Sequence, residues 1–141
     1  MLTEQWHKWE PIAGLSPKYI LDSIINDYQV FKVILVDKEN PAIKLELEFF
    51  EAGVYFEQKI ALPFRAQTIA FLKNEYGEAF IDEWTFFKIT NSKQQQWMSD
   101  QAGILMNFDK FQHLVLITTN FVVDLVTFDD AITGEFIDSN K

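Results

Sequence analysis

The sequence predicts a single α+β domain (1–141), in which a mainly antiparallel sheet of about six to seven strands packs with two short helices. A chain of 141 residues has the usual size of one domain. Hydrophobic residues make up 48% of it and aromatic residues 16%, which is enough for one core without metal or disulfide support. Most strand-like runs are joined by short links, and short links favour antiparallel pairing because parallel strands need long crossovers.

The N-terminal third predicts an arm followed by two strands. Residues 1–17 contain two tryptophans, two prolines and a glycine, which indicates an irregular or briefly helical arm that its indole rings attach to the domain. The pattern at 18–26 is strand-like. The run 30–36 is rich in β-branched residues and has little polarity, as is typical of a central strand.

The clearest periodic signal lies at 43–49, where apolar and charged residues alternate along a strand with one buried and one solvated face. The apolar positions are Ile43, Leu45, Leu47 and Phe49, and the charged positions are Lys44, Glu46 and Glu48. Gly53 then turns the chain into a further strand at 54–60. Phe50 is out of phase with the apolar face, so it is either a partner-binding anchor or part of a second small core under the arm.

The second half predicts both helices. The segment 65–76 has one broad apolar side and is predicted to be the first helix. A strand follows at 85–89. Ser92 is then a predicted N-cap, because Gln95 stands at the spacing of a capping box, and the short second helix ends at Gly103.

Two apolar runs at 113–118 and 121–128 predict a hairpin, because only the polar pair Thr119–Asn120 separates them. The remaining residues, 129–141, are predicted to form an acidic C-terminal tail. Five acids and no Lys or Arg occur from Asp124 to Asp138, which makes this segment a single-sign acidic patch.

The charge balance limits the class of partner. Twenty-one acidic residues against twelve basic ones give a formal charge of −9. Such a chain repels phosphate backbones and anionic lipid, so neither nucleic acid nor a membrane is the expected partner. It attracts basic proteins instead. The N-terminus lacks the pattern of a signal peptide and the apolar runs are too short to span a bilayer, which together predict a cytoplasmic protein.

Few residues of the chain are suited to catalysis. There is no cysteine, and the two histidines, His7 and His113, have no metal-binding spacing. No serine has the flanking glycines of a nucleophile elbow, and no phosphate-binding loop is present, so we expect no cofactor and a packed or turn-side His113. Paired acids such as Glu46 and Glu48 leave a carboxylate-based hydrolase as the least favoured alternative.

Asp124 interrupts a predicted strand that otherwise lacks polar side chains. An unpaired charge is costly to bury. The carboxylate is therefore expected either on the solvent face of an edge strand or paired with an internal donor.

Five segments resemble a known family. They are WEPIAGL at 9–15, VYFE at 54–57, FKITNS at 87–92 followed by Trp97, HLVLIT at 113–118 and VDLV at 123–126. They are similar to small bacterial proteins encoded beside polymorphic toxins, as in contact-dependent inhibition or Rhs-type systems, and thought to act as immunity proteins. The resemblance extends over most of the chain, but its motifs are loose and mainly hydrophobic. The resemblance implies no catalytic residues; it implies stoichiometric neutralisation of a cognate toxin domain, for example a nuclease.

The sequence therefore favours a binding protein over an enzyme. The expected partner is a basic toxin domain, held by a few aromatic anchors inside an acidic rim. The candidate contact residues are Glu46, Glu48, Phe50, Asp124, Asp129, Asp130, Glu135 and Asp138. The alternative is a module that binds a small apolar or aromatic ligand between sheet and helices.

Overall fold

The structure is a computed structural model, which describes residues 4–26, 30–50, 55–60, 66–103, 111–128 and 132–138. These ranges contain nine strands and three helices. In chain order the elements are β1 (Gln5–Lys8), β2 (Tyr19–Asn26), β3 (Val30–Asp37), β4 (Ile43–Phe50), β5 (Tyr55–Ile60), α1 (Ala66–Tyr76), α2 (Glu78–Asp82), β6 (Phe86–Thr90), α3 (Lys93–Ala102), β7 (Phe111–Ile117), β8 (Phe121–Phe128) and β9 (Ile132–Asp138).

The strands form two sheets with antiparallel pairing. One has five strands in the order β1-β6-β7-β8-β5, and the other has four in the order β2-β3-β4-β9. The predicted α+β class and antiparallel pairing are confirmed. The strands are divided between two sheets, however, and there are two or three more of them than predicted.

Of the additional elements, β1 lies in the predicted arm, β9 lies in the predicted tail, and α2 lies between the first predicted helix and the strand that follows it. β1 has four residues and α2 has five, too few for either to show a hydrophobic period. β9 lies within the predicted tail, where Gly134 and the acids weaken its strand pattern. Residues 132–138 of the predicted acidic tail are therefore a strand. Gln5–Lys8 of the predicted irregular arm are a strand as well.

Three layers account for the buried residues: the helices, the five-stranded sheet and the four-stranded sheet. The largest core cluster joins the two sheets face to face, with Leu45 and Leu47 of β4 packed in the same cluster as Leu114 of β7 and Leu125 of β8. The helices cover the other face of the five-stranded sheet. There Leu72 of α1 packs with residues of β6, β7 and β8. Met98 and Ala102 attach α3 to Phe111 and Val126 at another part of this face.

Phe86 ties the N-terminal arm to the core. Its fully buried ring makes edge-on contacts with Trp9, Tyr19 and Trp84, with centroid distances of 6.4, 5.6 and 6.1 Å. Trp84 Nε1 also donates a hydrogen bond to the Trp9 carbonyl oxygen at 3.1 Å. An indole of the arm is thus held against the body of the domain, as predicted, by packing and by one hydrogen bond.

The two edges of the four-stranded sheet differ. At β2 a register shift between Leu21 and Ser23 marks a bulge at Asp22. The Asn120 side chain also binds the outer edge of β2, since its Oδ1 accepts from Leu21 N at 2.9 Å and its Nδ2 donates to Leu21 O at 3.1 Å. At the other edge, no strand among the described residues lies beyond β9.

Candidate partner-binding surface

The structure brings together two acidic segments that are far apart in the sequence. β4 and β9 are neighbours, and Glu46 and Glu135 are directly paired across them. Glu48 is opposite Thr133, one step further along the same face. Three of the predicted contact residues therefore share one solvent-facing surface.

The outward face of the four-stranded sheet has an aliphatic half and an acidic half. In the strand order β2, β3, β4, β9, the cross-strand rows are Ile20, Val36, Lys44 and Ile137; Ser23, Ile34, Glu46 and Glu135; and Ile25, Lys32, Glu48 and Thr133. β2 and β3 provide most of the aliphatic side chains, while β4 and β9 provide all three glutamates. We call this the β4–β9 face.

Two lysines of this face form ion pairs, one of them with a glutamate of the acidic half. Lys32 Nζ lies 3.0 Å from Glu46 Oε1, and Lys44 Nζ lies 3.5 Å from Asp22 Oδ2. The pKa of Lys32 is raised, first by the hydrogen bond to Glu46 and then by the charge of that carboxylate, with smaller contributions from Glu48 and Glu135. Lys32 thus lies within the combined negative field of all three glutamates.

The other candidates are distributed differently. Asp138 is partly exposed at the end of β9, opposite Ile43. Phe50 is the last residue of β4, opposite Val30, and its side chain lies outside the described part of the structure. Asp129 and Asp130 also lie outside the described residues.

Asp124 does not belong to any surface. It is only 3% exposed and lies on the helix-covered face of the five-stranded sheet, where its Oδ1 is 2.8 Å from His113 Nε2. Of the two alternatives for this carboxylate, the structure shows the internal pairing. Its predicted contact with a partner is therefore wrong, because a buried side chain cannot form a rim.

His113 links Asp124 to the start of α3. Its Nδ1 lies 2.6 Å from Ser92 Oγ. The Ser92 hydroxyl is the predicted N-cap and accepts from Gln95 N at 3.1 Å, so we assign its proton to His113 Nδ1 and the ring proton to Nε2, facing Asp124. The preceding residue, Asn91, has the positive φ of 57° that lets the chain turn sharply from β6 into this helix.

Ser92, His113 and Asp124 are hydrogen-bonded in the Ser–His–Asp order of a hydrolase triad, but Nδ1 faces the serine and Nε2 the aspartate, which is the reverse of that triad. All three residues are buried, with Ser92 6% exposed, His113 2% and Asp124 3%, so the hydroxyl is not presented at the surface. The array instead fixes the N-terminus of α3 on the sheet. The sequence did contain a signal for it, since His113 and Asp124 are polar residues in apolar strands and Ser92 is a predicted cap.

Lys18 is a largely buried cation outside this array. Its Nζ donates to the carbonyl oxygens of Ile81 and Trp84, both at 2.9 Å, and so binds the C-terminal end of α2. The pKa of Lys18 is lowered to about 8, mainly because burial disfavours the charged form, although Asp82 acts in the opposite direction.

The lowered pKa predicts a pH dependence of stability. Because the folded pKa is about 8 and the usual value is 10.5, the unfolded chain binds more protons between these two pH values. The free energy of unfolding is therefore expected to rise from pH 8 to pH 10 by about 1–2 kcal/mol, after discounting for partial exposure. Urea titrations of the wild type and Lys18→Met across this range measure it. Equal slopes for the two proteins would exclude Lys18 as the source.

The helical layer has aromatic residues that the sequence analysis did not select. Phe71 of α1 and Trp97 of α3 are each 55% exposed, and Tyr76 of α1 is 41% exposed. Glu75, Glu78 and Glu83 are exposed near Tyr76 in sequence. We call α1, α2 and these acids the α1–α2 surface. It is the second candidate for protein binding, because Phe71 and Tyr76 are exposed on it and aromatic residues are enriched in protein interfaces.

Comparisons with known proteins give no assignment: no protein-family model, no curated protein and no solved structure matches the chain. Within the described residues, no group of three His, Asp or Glu side chains could hold a metal ion. None of the described helices is sufficiently long and apolar to cross a membrane.

Proposed function

We propose that this protein is an immunity protein, which binds a basic cognate toxin domain in the bacterial cytoplasm and neutralises it by stoichiometric occlusion. The observation that carries the proposal is the pairing of β4 with β9, which gathers Glu46, Glu48 and Glu135 on one open sheet face. The family resemblance of the sequence and the charge of −9 point in the same direction.

Neutralisation in this scheme is steric and electrostatic. A toxin that attacks nucleic acid needs a basic surface for the phosphate backbone, and the three glutamates occupy that surface in place of the substrate. The aliphatic half of the β4–β9 face supplies apolar contact beside the acids. A stable interface hides about 800 Å² on each partner, so contacts must extend beyond the sheet face to its edge.

Co-expression with the toxin domain encoded beside this protein tests the function. We expect cells to survive when both are present and to die when the toxin is expressed alone. The purified proteins should form a 1:1 complex whose affinity falls as salt rises, because screening weakens the attraction between opposite charges. Equal killing with and without this protein would contradict the proposal.

Matched charge reversals test the surface. The triple variant Glu46→Lys, Glu48→Lys and Glu135→Lys should weaken binding by at least about 100-fold, as loss of several close charge pairs does. The control is Glu75→Lys, Glu78→Lys and Glu83→Lys on the α1–α2 surface, which changes the net charge by the same amount. If the control loses affinity and the first variant keeps it, the α1–α2 surface is the binding site.

A further inference from the structure

The edge of the β4–β9 face has the geometry of a strand-binding site. β9 is seven residues long and is the last strand of its sheet. An edge strand presents a row of backbone N–H and C=O groups that can pair with another chain. Proteins usually obstruct such edges with bulges, prolines, lysines or a covering segment.

The opposite edge of the same sheet is obstructed in this way, whereas residues 132–138 carry none of these obstructions and no described strand lies beyond them. β2 has the bulge at Asp22, and the Asn120 amide occupies both backbone groups of Leu21. β9 contains no proline or lysine, and its pairing with β4 has no register shift. One edge of the sheet is therefore closed by the fold, while the other is regular and has no further strand among the described residues.

Side chains on both faces of β9 are suited to a strand partner. Ile137, on the outward face, is 39% exposed, and Phe136, on the inward face, is 40% exposed. Beneath β9 the arm supports the strand, because Ile12 packs against the Gly134 backbone. A chain added beside β9 would bury apolar side chains above and below the sheet while its backbone completes the ladder.

We propose that β9 binds an extended segment of a basic protein as a fifth strand of this sheet. The proposal rests on the proposed function only for the identity of that protein as the toxin. The charges specify the segment: a residue opposite Glu135 also faces Glu46 on the next strand, so Lys or Arg belongs there. The residue of the bound segment opposite Ile137, on the outward face, should be apolar. The residue opposite Phe136, on the inward face, should be apolar as well.

A second copy of this chain fits the edge less well. Symmetric antiparallel pairing of β9 with itself must place residues of the same face opposite each other. In the register centred on Glu135 the two glutamates would be opposed, which is destabilising. The register centred on Phe136 avoids that contact, but it joins two chains that each have a charge of −9. A basic partner has neither disadvantage.

Residue-resolved amide exchange of the full chain, measured by NMR with and without the toxin domain, tests the proposal. Backbone groups of an antiparallel edge strand point alternately toward and away from the sheet. Binding should therefore slow exchange by at least about tenfold at alternate residues of 132–138, while residues 66–82 exchange as before.

The possible outcomes separate this proposal from the proposed function. If a complex forms and β9 shows no alternating protection, strand addition is wrong and the function stands. If protection appears in 66–82 instead, the α1–α2 surface is the site and strand addition is likewise wrong. If the alternating pattern appears with rising concentration of this protein alone, the occupant is a second copy, which overturns the basic partner. If no complex forms, the proposed function itself is wrong.

Discussion

Replacing His113 with alanine is expected to lower the free energy of unfolding by about 3–5 kcal/mol, because it removes the central member of a buried hydrogen-bond network. His113 is 2.8 Å from Asp124 and 2.6 Å from Ser92, and all three residues are buried. The substitution takes from Asp124 its hydrogen bond to the imidazole and from Ser92 the acceptor for its hydroxyl. It also leaves a cavity where the ring was.

Ser92→Ala is the matched control for this prediction. It removes the N-cap of α3 and the hydrogen bond to His113 Nδ1 but keeps the contact between His113 and Asp124, so its cost should be smaller, about 1–2 kcal/mol. Urea unfolding monitored by circular dichroism gives both values by linear extrapolation. If His113→Ala costs no more than Ser92→Ala, the contact with Asp124 does not stabilise the fold.

Gly134→Ala is expected to destabilise the protein by about 2–3 kcal/mol, in the upper range for overpacking a filled site. A Cβ atom at this position would lie 2.6 Å from Ile12 Cγ2 and 3.2 Å from Leu47 Cδ2. Cγ2 is attached directly to the branched Cβ of Ile12, so it cannot move away without moving the arm. Either the arm or β9 must therefore be displaced.

Rescue by a second substitution identifies this contact as the cause. Ile12→Ala removes the atoms that collide, so Gly134→Ala should cost much less in that background than in the wild type. A double-mutant cycle from four urea titrations measures the coupling. Additive effects would mean that the arm does not pack against β9 as the structure shows.

Strong local patterns predicted most of the fold. The alternation at 43–49 matches β4 (Ile43–Phe50), and the spacing of Ser92 and Gln95 matches the N-cap of α3, whose hydroxyl accepts from Gln95 N. The predicted hairpin at 113–118 and 121–128 corresponds to β7 and β8. In each of these elements the signal lies within the segment itself, so it can be recognised without knowing the neighbours.

The missed features depend on contacts between distant segments. β9 is a strand because β4 provides its hydrogen-bonding partner and because Gly134 admits Ile12, and neither condition is visible in ITGEFID. Asp124 looked like one acid in a C-terminal acidic patch because its partner, His113, is on another strand. The β4–β9 face could not be predicted for the same reason. Its two acidic segments are visible in the sequence, but the pairing that makes them neighbours is not.

The pairing of β4 with β9 also determines when the domain can be completed during synthesis. The last residue of β9 is 88 positions after the last residue of β4 (138 − 50), which at about 5–20 residues per second is a delay of about 4–18 s. During this time the nascent β2-β3-β4 meander lacks its final strand, and β4 is a temporary edge. The acidic face assembles only when β9 arrives. A newly made chain therefore does not present the complete β4–β9 face until nearly all of the described domain has been translated.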